Sequence, residues 1–304
     1  IGQLMKGSRK VYEFTPEQMR DMSAIVWLYR GQGDRFLALV KDYFTRLCAE
    51  CAALPDKIGP FDDALEALDA DFDAIAKAVK TAANLDAERC KLVAETLAEL
   101  RQAAKAYATD RATLLSALAS FYKAHGKPPP ATNDKQRAAR KVFDPNAERI
   151  KGLIKQVDLL YKLAFRIAAN AADLAADEAV AATYDRREAA KRIKLLEEQR
   201  RAAVDQLKHA AYFHRHIAWL QERFPKVEIQ PVPGLVKVVT RKEIADADWS
   251  LSPVRYVGIA PPEVDADFDF EQAISDIHTE LAALNKEAST LARTIQNNFE
   301  ELGA

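Results

Sequence analysis

From Phe61 to Phe224 apolar side chains recur every three or four positions, and one proline-rich stretch breaks the rhythm. That period marks amphipathic helices, because about 3.6 residues complete a turn and residues three or four apart share a face. The break is His125-Gly126-Lys127-Pro128-Pro129-Pro130, where consecutive prolines remove backbone donors and fix φ, so the chain turns there. Leu65, Leu68, Phe72, Ile75 and Val79 make one stripe before it, and Leu92, Leu100, Tyr107, Leu114, Leu118 and Phe121 a second. Ile150, Leu153, Ile154, Val157, Leu160, Leu163 and Ile167 make a third on the return limb. Rods of this length bury their stripes only against one another, so the pattern predicts a mainly α chain with long antiparallel, coiled-coil arms.

The boundaries carry their own signals. Thr15, Pro16 and Gln18 combine a hydroxyl cap, a first-turn proline and a capping-box partner, and Met19, Met22, Val26 and Tyr29 follow at helical spacing up to Gly31. Phe36, Leu39, Val40, Tyr43 and Leu47 predict the buried stripe of a second helix, which Pro55 stops. Asp185 with Glu188 marks a fresh helix start, and Pro225 ends that helix. Only residues 226–260 depart from the helical period: Val227 and Ile229, then Val236 and Val238, alternate around Pro231-Val232-Pro233-Gly234, which predicts a small strand pair or ribbon. Ten glycines in 304 residues fit the same helical bias.

The sharpest periodic signal is the last. Phe270, Ile274, Ile277, Leu281, Leu284, Ala288, Leu291, Ile295 and Leu302 follow steps of four and three, with Asn298 the polar interruption. Such a heptad seam wants a partner helix. The chain accordingly divides into a helical segment over 1–60, a long helical arm region over 61–225, and an extended segment with a C-terminal docking helix over 226–304.

Composition excludes several classes. Charged residues make up 29% and hydrophobic residues 49%, and no apolar run reaches the roughly 20 residues that cross a bilayer, so the expected location is the cytoplasm. There is no GxGxxG, phosphate-loop GKS/GKT, GxSxG or HExxH motif. Cys48 and Cys51 form a lone CxxC within a helical pattern and read as small apolar packing. His209, His214 and His216 read as a solvated, mildly basic helix face, because no ligand set completes a metal site. Net charge is −1, so any contact with nucleic acid must come from local patches. The candidates are Arg137, Arg140 and Lys141 beside the proline-rich tip, and Arg186, Arg187, Lys191 and Arg192 at the next helix start.

Two stretches resemble a known family. Ser8-Arg9-Lys10-Val11-Tyr12-Glu13-Phe14-Thr15-Pro16-Glu17-Gln18, leading to Ile25-Val26-Trp27-Leu28-Tyr29-Arg30-Gly31-Gln32, is similar to the segment after the catalytic domain in modification subunits of type I restriction-modification systems. Val232-Pro233-Gly234-Leu235-Val236-Lys237, then Asp248-Trp249-Ser250-Leu251-Ser252-Pro253-Val254-Arg255-Tyr256-Val257-Gly258 and the heptad helix, resemble that family's tail. The resemblance implies an adenine-specific DNA methyltransferase that uses S-adenosylmethionine, with its Asn-Pro-Pro-aromatic and cofactor loops upstream of the region matched here. Opening on Ile1, the chain is expected to be a segment of such a polypeptide, itself without catalytic, cofactor or metal residues. The implied partners are the specificity subunit, the restriction subunit and double-stranded DNA, and Phe270, Ile274, Ile277, Leu281, Leu284, Leu291 and Ile295 are the expected docking residues. The larger insertion over 61–225 departs from the family pattern and leaves its role open. The competing reading is a free-standing helical scaffold or DNA-binding protein unconnected with methylation.

Overall fold

The computed structural model describes residues 3–4, 12–81, 87–174, 178–182 and 184–260, together with Ile274, Leu281 and Ala288. The chain is mainly α. A short antiparallel pair, β1 (Gln3–Leu4) and β2 (Tyr12–Glu13), precedes α1 (Pro16–Tyr29), α2 (Gly33–Ala52), α3 (Leu54–Thr81), α4 (Ala87–His125) and α5 (Asn133–Leu174). Then come α6 (Glu178–Ala181), α7 (Arg186–Arg223), α8 (Arg241–Asp246) and α9 (Val254–Val257). Two compact units divide at Val232 and Pro233.

In the first unit the predicted caps form as their chemistry demands. Thr15 Oγ1 accepts the Gln18 N–H while Gln18 Oε1 accepts the Thr15 N–H, and Asp185 caps α7 by accepting from the N–H groups of Arg187 and Glu188. Gly31, at φ 71°, takes the left-handed turn that ends α1. Helix α3 begins at Leu54 and runs through Pro60, so residues on both sides of position 60 belong to one rod. Likewise α5 starts at Asn133 and carries Pro145 inside it, twelve residues beyond its first residue. In both rods tertiary packing outweighs the donor each proline removes.

Helix α7 lies at the centre, packed on α2, α3 and α5, while α4 lies along α5. Phe224 meets Phe36 edge to face at 6.4 Å between ring centroids, and Phe213 lies 5.8 Å from Tyr43. Phe143 touches both Phe121, at 5.0 Å, and the His214 ring, at 5.1 Å, so one side chain joins α4, α5 and α7. The Phe36, Leu39, Val40, Tyr43 and Leu47 stripe is buried as its spacing predicts, and so are Leu65, Leu68, Phe72 and Ile75. Leu92, by contrast, is exposed.

Of the strand pair or ribbon expected over residues 226–260, only single-residue β-bridges form, at Val232 and Val236 on either side of the Pro233–Leu235 turn, and Val227, Ile229 and Val238 join no strand. Val227 sits at φ 58°, a left-handed conformation that interrupts any extended run, and the segment beyond it makes α8 and α9 instead.

Phe143→Ala should cost about 3–5 kcal/mol, the usual cost of deleting a fully buried aromatic ring at a three-helix junction, read from the midpoint of urea unfolding.

Candidate functional site

In the second unit, the run from Thr240 to Ala260 is folded by its own short-range bonds. Thr240 and Glu243 form a reciprocal capping box, and Lys237 reaches the Glu243 carboxylate at 2.9 Å. The Lys237 ammonium and the Thr240 donors hold that carboxyl at about 2, well below the usual range. Helix α8 ends in two consecutive left-handed residues, Asp248 (φ 54°) and Trp249 (φ 56°), and the Trp249 N–H bonds Ile244 O at 2.9 Å. Non-glycine residues enter that region at a cost of about 1 kcal/mol or more each, so the turn must be held by its surroundings. Arg255 donates to Ala247 O, the Tyr256 hydroxyl donates to Ser250 O, and the Gly234 N–H donates to Val257 O. A Cβ on Gly234 would lie 2.6 Å from that of Ala260, so the crossing needs glycine.

This knot turns its apolar side chains outward. Trp249, Leu251, Val254 and Ile259 are all exposed, with the Arg241 guanidinium 5.9 Å from the Trp249 ring. Of the heptad positions, Ile274 and Leu281 are helical and remain 50% and 54% exposed. Phe270, Ile277, Leu284, Leu291 and Ile295 lie outside the described residues.

The basic candidates fall in two places. Arg137 and Lys141 are exposed on the first part of α5, whereas Arg140 is drawn to Glu222 at 2.7 Å. Arg140 and Lys141 line a shallow pocket of about 460 Å³ with Asp144, Glu148, His214 and Glu222, where acid outnumbers base and an entering phosphate would be opposed. At the start of α7, Arg186 and Arg187 are exposed, Lys191 pairs with Glu188 at 2.6 Å, and Arg192 pairs with Asp71 of α3 at 2.6 Å. The two groups sit on different helices, and neither forms an all-basic patch.

The histidine expectation needs correction. His209 is exposed, but His214 and His216 are largely covered and each meets a carboxylate. His214 Nε2 lies 2.7 Å from Asp144, and burial lowers its pKa despite that partner. His216 Nδ1 lies 2.5 Å from Asp21 Oδ2, and the Tyr43 hydroxyl donates to Asp21 Oδ1 at 2.9 Å. Asp21 is thus an inward-facing acid on α1, tied to α2 and α7 at once, with Glu17, Arg46 and Tyr212 bonded around it. The signal that could have found it is the i, i+3, i+7 set Asp21, Ala24 and Leu28, which faces inward. Cys48 and Cys51 are buried in α2, and burial raises both thiols, Cys48 to about 11, which leaves them protonated and inert.

Among the described residues no group of three His, Cys, Asp or Glu side chains is placed to hold a metal ion, and no helix is long and apolar enough to cross a membrane. No protein-family model, curated protein or solved structure matches the chain.

Asp21→Ala should destabilise the chain by about 3 kcal/mol in urea unfolding, because it strands the Tyr43 hydroxyl and His216 in a buried site. Combined with Tyr43→Phe the loss should be less than additive, since the two residues share one bond. The unfolded chain takes up the His214 proton near pH 6.5, while the folded chain resists it to lower pH. Stability should therefore fall as pH drops below that value, and His214→Gln should flatten this part of the decline in thermal melts at stepped pH.

Proposed function

We propose that the chain is the C-terminal assembly region of a type I restriction-modification DNA adenine methyltransferase subunit. It docks on the specificity subunit through the terminal heptad helix and the Trp249 knot, and its helical arms brace the assembly on DNA. The observation that carries this reading is exposed apolar surface among the described residues of the second unit: Trp249, Leu251, Val254 and Ile259 in the knot, Ile274 and Leu281 seven residues apart on the heptad. Single exposed apolar residues are ordinary, but a helical a/d position open to water is half of a seam.

The arms read as antiparallel coiled-coil limbs. Pairing of Phe121 with Phe143 and of Asp110 with Gln156 supports this, because residue numbers rise along α4 as they fall along α5. S-adenosylmethionine and the adenine to be methylated belong to the catalytic domain that the resemblance expects upstream, so the assembly role needs no cofactor within these residues. Arg137, Lys141, Arg186 and Arg187 are the exposed cations available to the phosphate backbone, with Arg140, Lys191 and Arg192 serving cross-helix or local pairs.

Co-expression with the specificity subunit should give a stable complex on sizing, and Ile274→Glu with Leu281→Glu should abolish it while leaving helix content unchanged. A complex that survives both substitutions sinks the docking role. Reversing charge at Arg137 and Lys141 should weaken duplex binding by the assembled complex and lower the slope of log K against log salt by about 2, measured by fluorescence anisotropy.

A further inference from the structure

Helix α1 is built inside out for a surface helix. Its inward face carries Asp21, Ala24 and Leu28, whereas Met19, Met22, Val26 and Tyr29 point to solvent, with Met19 52% and Tyr29 65% exposed. Those four follow steps of three, four and three, the spacing of a coiled-coil seam, and exposed Phe14 extends the strip at its start. Two of the chain's three methionines lie here, and methionine suits adaptable contact surfaces. We propose that this face pairs with the same face of a second copy of the chain. The inference stands apart from the proposed function, since it uses only the first unit.

The surface is complementary to itself under a two-fold axis at the level of Ala24. An antiparallel pair sets Met22 against the partner's Val26 and Met19 against the partner's Tyr29. Arg30, the exposed cation at the end of α1, then lies at the far end of the pair from its counterpart. A parallel pair would instead stack Arg30 on Arg30. No acid interrupts the strip, and exposed Ser23 beside it is small enough for close approach of the backbones. Such two-fold, same-surface contacts are the commonest way soluble chains pair. Five side chains at these exposures present on the order of 500 Å² per copy, so a dimer buries about 1,000 Å², the low end for a specific interface. A contact of that size belongs to the weak, reversible class of interfaces.

Sedimentation equilibrium on the full chain, from about 1 to 200 µM, should show a monomer–dimer equilibrium, weakened at least about tenfold by Val26→Glu with unchanged circular dichroism. Tyr29→Lys gives a second test should Val26→Glu lower helix content. The double variant Met22→Cys, Val26→Cys should form an intermolecular disulfide under mild oxidation, whereas wild type should not. A monomer throughout overturns the proposal. So does a dimer that survives Val26→Glu and Tyr29→Lys, or one lost in Leu281→Glu but not in Val26→Glu, which would move association to the terminal heptad.

Discussion

The first unit hangs on α7, a helix with more apolar surface than one neighbour can cover. Phe213 and Phe224 go to Tyr43 and Phe36 of α2, the His214 ring to Phe143 of α5, and Arg192 reaches Asp71 of α3. A two-helix arm covers only one stripe of each partner, so a rod with several apolar faces gathers several partners. The proline-bearing helices α3 and α5 stay continuous for the same reason: burial along their length exceeds the loss of one backbone bond.

Charge in this unit is spent largely on joining helices. Acids of α3 meet arginines of α4 and α7, as Asp62 with Arg111, Asp69 and Asp73 with Arg101, and Asp71 with Arg192; Asp158 of α5 meets Arg200 of α7. Exposed pairs of this kind contribute little stability, but a wrong register would set acid against acid, so they select one alignment of the rods. A run of basic residues read along one helix therefore overstates what remains for phosphate. Arg140 and Arg192 look like DNA contacts in sequence and sit against Glu222 and Asp71 in three dimensions.

Element type was legible wherever periodicity was long, and caps such as Thr15 and Asp185 fixed starts to the residue. Direction of the faces was harder. On α1 the apolar set points outward and an acid points in, because Asp21 finds Tyr43 and His216 from distant helices, and no local pattern records such partners. His214 reads as polar surface for the same reason, since its cover comes from Phe143 and Asp144 some seventy residues earlier. Between 226 and 260, two-residue alternation promised strands, and left-handed Val227, Asp248 and Trp249 took the backbone elsewhere. The apolar surface proposed for docking was half visible: heptad steps announce themselves, whereas exposure of Trp249, Leu251, Val254 and Ile259 depends on a turn that sequence spacing does not encode.

The proposed assembly role requires that the exposed apolar surface of the second unit be covered by another molecule. Amide hydrogen exchange of the chain, alone and with the specificity subunit, addresses that surface directly. Slowed exchange at Trp249–Ile259 and around Ile274–Leu281 on complex formation is the predicted result. Exchange there that is already fully slowed in the isolated chain, or that stays unchanged while a complex forms, would contradict the account.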